Sequence, residues 1–351
     1  MTELPSLSAE QAECCARDRS SGVNIRRGLR GSAPFDRNFQ KTVVKRLCLF
    51  IVFVALLAAG HVVAAGAAGP TSAVINAVAV ENEYADVISQ IGGKYVQVQA
   101  IMTDPNTDPH TFEASPKAAR EFAAAQLVVV SGVGYDDWAG RIISAAHRPN
   151  RKVINAQQLL GLPDDTPNPH LWYDPKTMPA VAKAIADALA VLHPAQATYF
   201  HANADKFIAS LEPWKAAIAA FRANHDGIPI AVTEPVANYM LEAMGFDILT
   251  PFSLQKAIMD GNDPSPQDIT IQNDQFVGNK VKVFVYNRQV TDTLTQSFLD
   301  AARKAGIPVV GVYETMPTPG YTYQSWMLAA VAALEKAVTD RISTDTFLKV
   351  H

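Results

Sequence analysis

Beyond residue 48 this chain of 351 residues has no cysteine; Cys14, Cys15 and Cys48 all lie in its first fifty positions. The body therefore holds no disulfide, thiolate nucleophile or thiolate ligand. Any metal there must sit on nitrogen and oxygen donors, which suits Zn, Mn or Fe better than copper(I) or an iron–sulfur cluster. Charge is also sparse, at 18% Asp, Glu, Lys and Arg, against 48% hydrophobic residues. A large core, or two ordinary ones, is within reach of such a composition. Phosphate-cradling glycine loops, a G-x-S-x-G elbow and an H-E-x-x-H helix are all missing, which removes the commonest nucleotide, serine-hydrolase and zinc-protease readings.

What charge there is divides unevenly. Residues 1–46 carry nine Lys/Arg and five Asp/Glu, leaving 21 basic and 29 acidic residues in the rest, a net of −8. An acidic body argues against a nucleic-acid partner and is compatible with collecting cations.

The N-terminal forty residues are polar and aperiodic. From Lys41 the pattern becomes that of a secretory leader: Lys41, Lys45 and Arg46, an apolar run over 47–60, then small residues including Ala65-Gly66-Ala67. Cleavage near Ala67 is expected, giving an exported protein, periplasmic or otherwise extracytoplasmic. The competing reading is an uncleaved membrane anchor. The pair Arg26-Arg27 lies some twenty residues before the apolar run, too far for a twin-arginine leader.

The body alternates strand and helix patterns, which predicts parallel α/β sheets. Strands are expected at 73–80, 95–102, 127–131 and 152–155, and in a second half at 229–232, 281–286 and 308–312. Between the halves, 194–223 reads as a long connecting helix with Tyr199, Phe207, Leu211, Trp214, Ile218 and Phe221 on one stripe. Pro213 inside it predicts a bend or break at Glu212. The expected organisation is an extension and leader at 1–67, an α/β lobe at 72–192, the connector, and a second α/β lobe at 228–349.

Two stretches carry the chemistry. Thr107-Asp108-Pro109-His110-Thr111-Phe112-Glu113 and Asn168-Pro169-His170-Leu171-Trp172-Tyr173-Asp174-Pro175 each place a histidine directly after a proline. Proline fixes its own φ and restrains its predecessor, so both imidazoles sit on stiff loops. Glu234 and Glu314 occupy comparable loops in the second half, each after an expected strand. Ligands of parallel α/β sheets bind at that carboxyl edge. Two imidazoles and two carboxylates suit a divalent first-row cation. Ser115-Pro116 and Asp174-Pro175 read as N-cap and first-turn pairs of the helices after the two histidine loops. His147, His193, His201 and His225 read as surface residues, and Trp138, Trp172 and Trp326 as packing.

With Thr233-Glu234-Pro235-Val236-Ala237-Asn238-Tyr239, Asp263-Pro264-Ser265-Pro266 and Val312-Tyr313-Glu314-Thr315-Met316-Pro317 added to the two histidine stretches, the chain from about Ala73 onward resembles the zinc/manganese solute-binding proteins of ABC transporters. The resemblance implies two parallel-sheet lobes joined by a long helix, with one divalent ion (Mn2+ or Zn2+, with Fe2+ a further candidate) in the cleft. By position it makes His110, His170, Glu234 and Glu314 the ligands. It implies a non-enzymatic monomer that delivers the ion to an ABC permease in the cytoplasmic membrane. Zinc-dedicated members often carry His at the third ligand position and a His-rich loop. Here the third position is Glu234, and 136–169 holds only His147, which resembles the manganese-type set. The fourth ligand is typically Asp, one methylene shorter than Glu314; Asp247, Asp260 and Asp263 are the substitute carboxylates. Two other functions use the same donors. A secreted metallohydrolase would need a further base, and no unassigned carboxylate in these loops supplies one. A metal-binding surface adhesin would show partner binding without an uptake role.

Overall fold

The structure is a computed structural model that describes residues 74–347 apart from Thr107. The expected leader and its cleavage point at Ala67 lie outside the described residues.

The first sheet contains β1 (Ile75–Glu81), β2 (Val96–Met102), β3 (Leu127–Val130) and β4 (Lys152–Asn155) in the order β2-β1-β3-β4, all parallel. The second contains β5 (Pro229–Val232), β6 (Asp247–Ile248), β7 (Val283–Asn287) and β8 (Val309–Val312) in the order β6-β5-β7-β8, again parallel. The two halves thus repeat one topology without a repeated sequence. Parallel strands covered on both faces run apolar instead of alternating. Accordingly Leu-Val-Val-Val of β3 is buried throughout, as are β7 and β8. The order reverses between β1 and β3, and between β5 and β7, which opens a crevice at the carboxyl edge of each sheet.

Twelve helices are described: α1 (Asn82–Gly92), α2 (Pro116–Ala124), α3 (Asp137–Ala145), α4 (Ala156–Leu159), α5 (Thr177–Leu192), α6 (Ala197–Ser210), α7 (Glu212–His225), α8 (Asn238–Ala243), α9 (Phe252–Met259), α10 (Pro266–Val277), α11 (Thr293–Lys304) and α12 (Tyr323–Thr339). The stretch between the sheets is two helices, α6 and α7, meeting at Leu211. Pro213 falls in the first turn of α7, where its missing N–H breaks no helical bond. α6 packs on α1 and α5, and α7 on α12. Phe207 and Trp214 flank Tyr323, the latter edge-on at 6.0 Å.

Some local expectations shift. The helix after the second histidine loop starts at Thr177, not at Pro175. Asp174 Oδ1 accepts from Lys176 N at 2.9 Å, so the aspartate closes a turn instead of capping the helix. The two-residue β6 and the helices α4 and α9 carried too little periodicity to be expected from sequence. Ser115 does cap α2, accepting from Ala118 N at 3.2 Å. Ser115→Ala is expected to lose about 1 kcal/mol of stability, measurable as a shift in the denaturant midpoint at unchanged slope.

Candidate metal centre

The two histidine loops share one local construction. Asp108 Oδ1 accepts from His110 N at 2.8 Å, and Asn168 Oδ1 accepts from His170 N at 3.0 Å. In each, an Asx side chain reaches over a proline to tie the histidine two residues on. A short 3-10 turn spans Pro109–Thr111 in one loop and Leu171–Tyr173 in the other. His110 follows β2. His170 lies farther from its strand, with β4, α4 and a loop ahead of it.

His110, His170 and Glu314 converge, each offering one donor atom within 4.8 Å of the others. Glu314 follows β8 at the edge of the other sheet. Its Oε2 lies 3.2 Å from His110 Nε2 and 3.1 Å from His170 Nε2. Two ligands about 2.1 Å from one ion and roughly 90–110° apart would be separated by ~3.0–3.4 Å, so these spacings are those of neighbouring vertices of a coordination shell.

The tautomer of His170 follows from its neighbours. Asn168 Nδ2 donates to Pro235 O at 2.8 Å, which fixes Asn168 Oδ1 as the acceptor 2.8 Å from His170 Nδ1. Nδ1 therefore carries the hydrogen in the neutral ring, and Nε2 turns its lone pair to the cluster. An outer oxygen holding the distal nitrogen is how metal-bound histidines are usually set. Lone pairs of Nε2 and of a carboxylate cannot stay 3.1 Å apart without a positive charge, proton or cation, to join them.

Burial grades the three. The side chains of His170 and Glu314 are fully enclosed, whereas that of His110 is 21% exposed. Burial pulls the His110 pKa down, but Glu314, Asp108 and Asp260 outweigh it, and the net shift is upward. Burial holds His170 below its ordinary value despite Glu314. For Glu314, burial acts to raise the pKa, yet His110 and His170 together bring it below the usual range.

Glu234 is buried beside this group but is not one of the three converging donors. Its Oε1 accepts from Asn287 Nδ2 at 3.2 Å, and the same amide donates to Glu314 Oε1 at 2.6 Å. Glu234 Oε2 has no hydrogen bond. Burial, then the charge of Glu314, push the Glu234 carboxyl well above the ordinary range. The expected four-donor set is thus three donors together and a fourth carboxylate joined through one amide. Of the substitute carboxylates, Asp260 pairs with Lys256 Nζ at 2.6 Å, and none of Asp247, Asp260 and Asp263 joins the cluster.

Three neighbours were not anticipated. Asn287 holds both glutamates. Gln289 Oε1 accepts from the backbone N–H of Glu314 and Thr315 at 2.7 and 2.9 Å. Tyr135 Oη donates to Glu314 Oε2 at 2.9 Å. Asn287 and Gln289 sit at and just past the carboxyl end of β7, the edge that the strand pattern had already marked. Trp172, expected as packing, is buried with its ring 5.5 Å from that of His170. A cavity of about 420 Å³ reaches the cluster from outside, lined by His110, Tyr135, Asp164, Asp165 and Asp260 among others.

The profile of the family described as zinc-uptake complex component A, periplasmic (ZnuA), matches residues 78–337. The chain belongs to this family. Curated relatives of this ZnuA-family chain include the manganese-binding lipoprotein MntA of Halalkalibacterium halodurans, 26% identical over 174 residues, covering 46% of this chain and 55% of that one. A putative metal-binding protein of Chlamydia trachomatis serovar D is 28% identical over 170 residues, covering 46% of this chain and 59% of that protein. The chain therefore spans little more than half the length of these curated relatives. Among solved structures, the periplasmic zinc-binding protein TroA from Treponema pallidum is similar at a TM-score of 0.64 and 17% identity, over 76% of this chain and 98% of that one. FpvC of Pseudomonas aeruginosa in complex with Mn2+ gives 0.62 and 21%, over 77% and 99%. These likenesses establish the two-lobed fold of the ZnuA-family chain.

Proposed function

We propose that this protein is the solute-binding component of an ABC importer for a divalent transition metal. It captures the ion outside the cytoplasmic membrane and passes it to a permease, acting as a carrier and not as an enzyme. The observation that carries this reading is the convergence of His110 Nε2, His170 Nε2 and Glu314 Oε2 at ligand spacing. The ion is the cargo. It would replace the positive charge that this buried group of lone pairs requires.

Glu234 is the proposed fourth donor, entering once the ion outbids the proton that burial favours on it. Two imidazoles and two carboxylates accept Mn2+ or Zn2+, and intrinsic affinity favours Zn2+ at almost any such site. The relatives' names point both ways, to manganese for MntA and to zinc for TroA. The metal ABC transporter substrate-binding lipoprotein SloC of Streptococcus mutans is a further relative whose name matches the proposed role.

Elemental analysis of protein purified from its native compartment tests the reading. One equivalent of Mn or Zn is expected, and His110→Ala should lose it. Full retention by His110→Ala would refute the site.

A further inference from the structure

Tyr135 stands out because the chain is bent to deliver it. Between β3 and α3, three successive residues take positive φ: Gly132 at 85°, Val133 at 55° and Gly134 at 76°. For the glycines this conformation is easy, but a β-branched residue there is a true outlier that its surroundings must hold. They do. Asp136 Oδ2 and Oδ1 accept from the N–H of Ser131 and Gly132 at 2.6 and 2.8 Å. Gln157 Oε1 accepts from Val133 N at 2.7 Å. The bend turns the next side chain inward, and Tyr135 is only 7% exposed.

Its ring is packed edge-on against three others, Trp172 at 5.0 Å, His110 at 5.1 Å and His170 at 5.7 Å. Its hydroxyl donates to Glu314 Oε2, the same oxygen that both histidines approach. The other oxygen of that carboxylate accepts from Asn287 Nδ2. Asn287 cannot present its oxygen instead, because Oδ1 already accepts from Gln289 N at 3.0 Å. Apart from the histidines, each carboxylate oxygen therefore has one protein donor. Oε2 keeps a lone pair directed at the histidines, and Oε1 is held back toward Glu234.

We propose that Tyr135 is a positioning residue that makes Glu314 bind the cargo ion through Oε2 alone. Held at both ends, Glu314 cannot turn to offer two oxygens to one ion. That restrains the coordination number and thereby which ions the site prefers. The proposal rests on the reading of His110, His170 and Glu314 as the cargo donors, and the test separates the two.

Tyr135→Phe removes one oxygen and keeps the ring and its edge contacts. Co2+ is the probe, because its visible bands are strong in four-coordinate sites and weak at higher coordination. The wild type is titrated with Co2+, Mn2+ and Zn2+, beside Tyr135→Phe and His170→Ala. Tyr135→Phe is expected to bind about 10–100-fold more weakly, as for loss of an outer partner of a ligand, with weaker or shifted Co2+ bands. Unchanged affinity overturns the proposal. So does weaker binding with unchanged bands, or a lowered melting temperature alone, since those report only packing. If His170→Ala binds Co2+ like the wild type, the donor assignment itself fails, whatever Tyr135→Phe does.

Discussion

Glu314→Ala is expected to abolish tight metal binding, with an affinity loss greater than the ~100-fold that follows removal of an outer partner. Glu314 is the one carboxylate in the converging group, and it joins donors from both sheets. Its Oε2 faces His110 and His170, on loops of the first sheet, and its backbone belongs to the segment after β8 of the second. Without it two imidazoles remain, and the carboxylate left nearby, Glu234, is not one of the converging donors. The loss reaches the scaffold too. Tyr135 Oη would be left without the acceptor it now uses, and Asn287 Nδ2 would keep only Glu234 Oε1. A buried orphan such as that hydroxyl costs about 1–3 kcal/mol. Glu314→Gln separates the effects, because it keeps the shape and an amide oxygen but loses the charge. It should bind metal poorly while unfolding closer to the wild type than the alanine variant. Isothermal titration and thermal denaturation of the three proteins decide the matter, and a Kd for Glu314→Ala within tenfold of the wild type would remove Glu314 from the site.

Metal binding should weaken as the pH falls, starting above the ordinary histidine pKa of about 6.5. Burial opposes protonation of His110, but Glu314, Asp108 and Asp260 win, so its pKa is raised. Glu234 is raised as well, by burial and by Glu314. An ion must displace whatever protons these groups hold, and each proton displaced makes affinity fall about tenfold per pH unit. His170, lowered by burial, adds little to this dependence.

The same shift fixes the sign for the metal-free fold. A group whose pKa is raised on folding adds stability that is complete below its unfolded pKa and lost as pH climbs through its folded pKa. The metal-free protein therefore loses the His110 contribution as pH rises, while the ion binds more tightly. The increase in melting temperature on adding metal should grow from pH 6 to pH 8, since ligand stabilisation scales with the logarithm of free ion over Kd. Calorimetry at fixed free metal checks this, and an increase independent of pH would contradict it.

The histidines were legible because their loops are local. Asp108-Pro109-His110 and Asn168-Pro169-His170 each fix a side chain within three residues, through a proline and an Asx turn. The strands were legible for a related reason. Buried parallel strands write themselves as short apolar runs, such as Leu127–Val130 and Val309–Val312. Glu314 was found through its place after such a strand. Tyr135 was hidden in the segment between β3 and α3, although Gly132 and Gly134 around one residue are what a chain held at positive φ would carry. Asn287 and Gln289 had no local signal at all, since amides near a strand end are common and only a partner can single them out.

By itself, the sequence determined the absence of thiolate, the parallel α/β lobes and which histidines and carboxylates were candidates. Those depend on residue identity, short-range backbone restriction and hydrophobic period. Only the tertiary structure decided which donors meet. It put His110, His170 and Glu314 at one point, and set Glu234 beside them through Asn287. Residues up to 204 positions apart meet there because the segments after β2 of one sheet and after β8 of the other bring His110 and Glu314 together. That distance is closed by packing, and packing is a property of the whole chain that no single stretch encodes.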